Sequence, residues 1–202
     1  MNKTNSGFTL IELLIVVAII AILAAIAIPN FLAAQTRSKV SRVRADTRTA
    51  VTGLEAYRTD YDNYPPMNDV PGWAPLPAAF HTRLPIYLTT PVAYLTNLPH
   101  DAFMEQAPPA PLGVTEEQMK RLTYYNYPQY KDDGNYYSAT RHRHAGDFLL
   151  YSWGPDRAAN FSGSPPTGED GIYTNYDPTN GTVSIGNIIR TQRNNEKYDS
   201  TN

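Results

Sequence analysis

The hydrophobic and polar positions along the chain change rhythm twice. Residues 13–28, LLIVVAIIAILAAIAI, are sixteen consecutive apolar side chains, and the run reaches back to Phe8 with only Thr9 and Glu12 interrupting it. As a helix, residues 8–28 span roughly 30 Å, the thickness of a bilayer's hydrocarbon core, which predicts a membrane-spanning segment. Beyond Pro29 a helical period takes over. Val40, Val43, Thr47, Ala50 or Val51, Leu54, Tyr57 and Tyr61 recur at steps of three and four and mark one face for burial. The stop signal is DYDNYPP at 60–66. The pattern therefore predicts a helix from Phe8 to Asp62, about 80 Å long, bent or locally melted at Pro29. A rod of that length cannot be covered by the rest of this chain, so its first half requires lipid or other helices.

The remainder reads differently. Residues 65–111 hold 11 prolines and no sustained alternation, which predicts ordered loops with short helices. One helix is expected in LTTPVAYLTNLP, with Thr90 as cap and Pro91 at its first position; another follows Thr115, which forms a capping-box pattern with Gln118. Strand candidates are 122–130, 135–140, 147–153 and 182–189, with turn signals at Gly134 and at 180–182. The expected fold is α+β, with the second half of the long helix packed on a small antiparallel sheet. Four parts are expected: a leader at 1–7, an apolar helix at 8–28, its amphipathic continuation at 29–62 and a globular domain at 63–202 with a Pro-rich insert. A coiled coil competes with this reading, but the amphipathic half is short and runs straight into a Pro-rich body.

Composition narrows the function. With 17 Lys+Arg against 19 Asp+Glu, the formal charge of -2 offers no global field for nucleic acid, and no nucleic acid is required. The absence of cysteine removes disulfides, thiolate metal sites and thiol nucleophiles. No GxSxG, HExxH or glycine-rich phosphate loop is present, and the carboxylates form no acid–base pair, so an enzyme is not expected. Between residues 37 and 48, five basic residues against Asp46 alone suit either a solvated helix face, lipid phosphate or an acidic patch on another subunit.

Glu12 is the anomaly, because a carboxylate in an apolar helix costs a few kcal/mol and calls for a partner or a route to the headgroups. A cleaved secretory signal peptide would explain the apolar run, yet the periodicity continues past it. GFTLIELLIVVAIIAILAAIAIPNF, residues 7–31, resembles the N-terminal segment of type IV pilins and type II secretion pseudopilins, and AYRTDYDNYPP resembles the helix-to-domain junction of the major, G-type pseudopilins. The resemblance implies cleavage between Gly7 and Phe8 by a membrane prepilin peptidase and methylation of the new Phe8 amine. It also implies that Glu12 pairs with the N-terminal amine of a neighbouring subunit. Small Gly7 suits a chain extended in a protease cleft, and an ammonium facing a carboxylate inside an apolar filament core is costly to break. Cleavage would remove Lys3 and take the formal charge from -2 to -3. The basic residues beyond Pro29 would, on charge asymmetry alone, hold the C-terminal side in the cytoplasm; the resemblance implies the reverse, a single-pass inner-membrane protein with a periplasmic body.

DFLLYSWGPDR and EDGIYTNYDP resemble the C-terminal region of major pseudopilins, where calcium is held by carboxylates and main-chain carbonyls. That resemblance implies Ca2+ at Asp156, with Asp170 and Asp177 less secure because SGSPPTGE intervenes; calcium's six to eight oxygens tolerate such irregular loops, and ordinary turn carboxylates are the alternative. His142 and His144 would share one face of an extended segment, compatible with a metal, a pH-sensitive contact or a basic turn. The tyrosines at 124, 125, 127, 136 and 137 suit sheet packing and subunit contacts, or carbohydrate. The implied function is a structural subunit of a type II secretion pseudopilus, a homo-oligomeric filament with other pseudopilins as partners. Such a subunit is stored in the lipid bilayer and extracted by an ATP-driven inner-membrane platform. Competing readings are a type IV pilus subunit for adhesion, DNA uptake or motility, and a monomeric membrane-anchored binding module.

Overall fold

A computed structural model describes residues 8–67, 83–105, 115–130, 142, 145–157, 175–179 and 186–193. Helix α1 spans Leu10–Tyr61. Its N-cap is Thr9, and it closes on Asp62, whose left-handed backbone (φ 56°) lets its N–H donate to Arg58 O at 2.8 Å. At 52 residues the helix is about 80 Å long. Helical geometry runs through Pro29, so the expected local melting is not seen. Pro29 still removes the N–H that would reach Ala25, and one residue on, the Asn30 amide donates to Ile26 O at 3.0 Å.

Only the second half of α1 is covered. Val40, Val43, Thr47, Ala50, Gly53 and Leu54 are its buried positions, the stripe that the period of three and four marks. They pack on a three-stranded antiparallel sheet in the order β1 (Thr123–Asn126), β2 (Phe148–Ser152), β3 (Ile188–Thr191). Register pairs Tyr124 with Leu150 and Leu150 with Arg190. Every residue of β1 and β2 is buried, so neither strand shows the alternation of a sheet with one wet face.

Three sequence expectations are corrected. The 122–130 strand stops at Asn126: Pro128 has no N–H for a ladder, and Asn126 Oδ1 accepts from Gln129 N at 3.3 Å, starting the single helical turn α3 (Tyr127–Tyr130). No helix forms behind Thr90. A 3-10 turn lies earlier, at Ile86–Leu88, and Leu95 N donates back to Leu88 O at 2.8 Å, folding the segment over itself. The last strand sits at 188–191, shifted towards the C-terminus from 182–189, and 182–185 lie outside the described residues, as do 135–140 and Gly134. The Thr115 capping box is present, heading α2 (Glu116–Lys120).

Candidate assembly site

The first half of α1 is a bare apolar rod. From Leu10 to Ile28 no residue is buried, and Phe8 is 77% exposed. By length and composition this segment could cross a membrane. Apolar surface on this scale, unpartnered among the described residues, has to be met by lipid or by other protein.

Glu12 sits one turn inside this rod, and its carboxylate is directed back along the helix. Its Oε2 accepts from Thr9 N at 2.9 Å and from Thr9 Oγ1 at 2.6 Å, while Glu12 N donates to Thr9 Oγ1 at 3.3 Å. This is a complete capping box. Reading Thr9 as a mere interruption of the apolar run missed it, although Thr-x-x-Glu ahead of an apolar stretch is its sequence signature. The arrangement satisfies the carboxylate inside one chain and holds it at the very end of the helix, beside the Phe8–Thr9 peptide. Gly7 lies outside the described residues.

Asp101 is the second polar centre, in the head, and sequence reasoning passed over it within LPHDAF. It is fully buried and accepts from Phe103 N (3.0 Å), Ser152 Oγ (2.7 Å) and Trp153 N (2.9 Å). Burial raises its pKa, and those three hydrogen bonds together with nearby Arg83 oppose the rise. Arg83 is also buried, donating to Thr123 Oγ1 at 2.9 Å and lying over the Trp153 ring at 5.4 Å. Together the pair anchors the loop after β2. That loop is tight: Gly154 has φ +74°, and a Cβ there would run into Gly186 O.

The loop carries Asp156. Asp177 lies on the neighbouring segment joined to β3 by the Asn175–Asn187 bridge, and its Oδ1 accepts from Thr179 N and Oγ1 at 2.8 and 2.7 Å. Asp170 is outside the described residues. Among the described residues no group of three or more His, Asp or Glu side chains is placed to hold a metal. His142 meets Asp147 at 2.9 Å, which also faces Arg58 at 3.7 Å; His144 lies outside the described residues. The described tyrosines 124, 125 and 127 are buried in the core, which answers for them without a ligand.

Residues 2–28 match the family described as Prokaryotic N-terminal methylation motif. That stretch holds Gly7, Phe8, Glu12 and the whole apolar rod. The chain's N-terminal segment is that of type IV pilins and pseudopilins. The chain is 49% identical over 74 residues to the type IV major pilin protein PilA of Myxococcus xanthus. It is 57% identical over 62 residues to the type IV wide pilus major component PilA4 of Thermus thermophilus. It is 36% identical over 64 residues to the type II secretion system core protein G of Pseudomonas aeruginosa. These matches cover 37%, 31% and 32% of this chain and 34%, 47% and 45% of the relatives. The chain thus spans between a third and a half of the relatives' lengths. No solved structure matches.

Proposed function

We propose that this chain is a structural subunit of a type II secretion pseudopilus, cleaved between Gly7 and Phe8 and polymerised through the apolar half of α1. The observation that carries polymerisation is the exposed rod: none of the described residues of the head covers residues 10–28, and like segments of other copies replace the lipid that covers them before assembly. Glu12 then exchanges its intrachain bonds to Thr9 for the new N-terminal amine of an adjacent copy. An ammonium and a carboxylate brought together in an apolar core stay paired, because separating them leaves a buried charge. The absence of cysteine, and the resemblance of YSWGPDR at the end of β2 to the major pseudopilins, support the secretion machine over the pilus. Deleting the gene tests this directly: loss of exported proteins from the medium, with surface fibres and motility unchanged, is expected, and the opposite pattern refutes it.

A second reading has its own support, since the pilus subunits share 49% and 57% identity against 36% for the secretion protein. Those alignments cover only about a third of this chain, so the phenotype of the deletion decides. Calcium binding by Asp156, Asp170 and Asp177 is likewise a proposal. Added CaCl2 should raise the thermal midpoint of the head and EDTA reverse it, an effect lost in Asp156→Ala; equal midpoints end that proposal.

A further inference from the structure

A cleft of about 400 Å³ opens where α1 ends, between its last turns and the single turn α3. That volume falls within the usual range for small-molecule sites, ~300–1,000 Å³. Tyr57 and Tyr61 form one wall, their rings stacked with centroids 4.4 Å apart. Tyr61 is 48% exposed, so packing of the core does not account for it. Tyr57 is braced by the edge of Tyr94, whose hydroxyl donates to Asp60 at 2.5 Å. The ring pair is thus held in place before any ligand arrives, which lowers the ordering cost of binding.

The other wall is polar and pinned. Asn126 Nδ2 donates to Tyr64 O and Pro65 O at 3.1 and 3.2 Å, and Gln129 Oε1 accepts from Met67 N at 2.8 Å. Among the described residues, Gln129 Nε2, the Asn63 amide and the hydroxyls of Tyr57 and Tyr61 have no hydrogen-bond partner. No Asp, Glu, Lys or Arg is among the described residues that line the cleft. An ionised ligand would find no counter-charge there, and a purely apolar one would strip water from these donors and acceptors without replacing it. Lipid is out of reach, since Tyr61 stands 33 residues beyond Ile28, about 50 Å along the helix.

We infer that this cleft binds a neutral saccharide. A pyranose has an apolar C–H face that lies against the negative face of an aromatic ring, and hydroxyls around its rim that both donate and accept. Tyr61, backed by Tyr57, takes the face; Asn63 and Gln129 take the hydroxyls. The site does not depend on the filament reading: it lies at the end of α1 away from the apolar rod, and one subunit holds all of it.

Saturation-transfer NMR on the full-length chain in lipid nanodiscs, free of sugar-headed detergent, tests this with cellobiose, maltose, lactose and chitobiose. At least one should bind with a Kd of about 1 mM, with transfer concentrated on one face of a ring. Tyr61→Ala should weaken that binding at least roughly tenfold and Gln129→Ala roughly fivefold, whereas Tyr61→Phe, which keeps the ring, should stay within about twofold of the parent. The Phe variant covers an alanine variant that fails to fold, because loss of binding in Tyr61→Phe contradicts a stacking role. No binding of any of the four sugars at about 20 mM overturns the proposal. So does binding that Tyr61→Ala leaves unchanged, or an oligoproline peptide that binds more tightly than every sugar.

Discussion

Gly53 offers a sharp test of how the head is held to the rod. It lies mid-helix on the buried face of α1, where glycine costs about 1 kcal/mol relative to alanine. Propensity alone therefore makes Gly53→Ala stabilising. The structure reverses the sign: an added Cβ would meet Leu95 Cγ at 2.7 Å, Cδ2 at 2.9 Å and Cδ1 at 3.1 Å. Leu95 is only 7% exposed and is held by its backbone bond to Leu88, so it cannot swing into solvent. Overpacking of this kind costs about 1–3 kcal/mol, so after the propensity gain Gly53→Ala should lose about 1 kcal/mol net. Leu95→Ala alone should lose about 2–5 kcal/mol through the cavity it leaves. In that background the clash is gone, and Gly53→Ala should now stabilise by about 1 kcal/mol. The assay is guanidinium unfolding of the detergent-solubilised chain, followed by near-ultraviolet circular dichroism of the tyrosine-rich head. A stabilising Gly53→Ala in the parent chain, or one whose sign is the same in both backgrounds, refutes the reasoning.

Asp101→Ala should cost at least about 3 kcal/mol, since it strands three donors that face the carboxylate in the buried head, and limited proteolysis should then cut near Trp153 first. Tyr64 has its pKa pushed up to about 12, by burial first and then by its hydrogen bond to Glu55. Its folded value exceeds the unfolded one, so its contribution is complete below about pH 10 and is lost as pH rises towards 12. Tyr64→Phe should flatten the fall in stability across that window, and an unchanged slope contradicts the assignment. Thr9→Val removes the hydroxyl that both donates to Glu12 and accepts its N–H; it should cost about 1 kcal/mol of helix-end stability and raise hydrogen exchange at Glu12 and Leu13, which exchange mass spectrometry in nanodiscs would read.

The long helix was legible because two periods are written plainly along it, an unbroken apolar run and then a stripe at steps of three and four. The capping box at Thr115 was legible for a similar reason, being local in sequence. What escaped depends on contacts between distant residues. Asp101 reaches Ser152 and Trp153 across some fifty positions, and nothing near LPHDAF announces a buried carboxylate. Leu95 folds back over Leu88 instead of extending a capped helix because its place on Gly53 is tertiary. β1 looked longer than it is because its aromatic residues run on into a turn; Pro128 and the Asn126 side chain end the ladder there. Thr9 was a different kind of miss, local and visible, hidden by the habit of treating polar residues in an apolar run as blemishes.

Polymerisation through α1 requires residues 10–28 to pack against the same segment of other copies. Single cysteines at Val16 and at Ile20, introduced into the naturally cysteine-free chain and oxidised in intact cells, test it most directly. Disulfide-linked dimers are expected at each position, weakened strongly in Glu12→Gln. Subunits that remain uncross-linked monomers at both positions, or dimers untouched by Glu12→Gln, would overturn the filament reading.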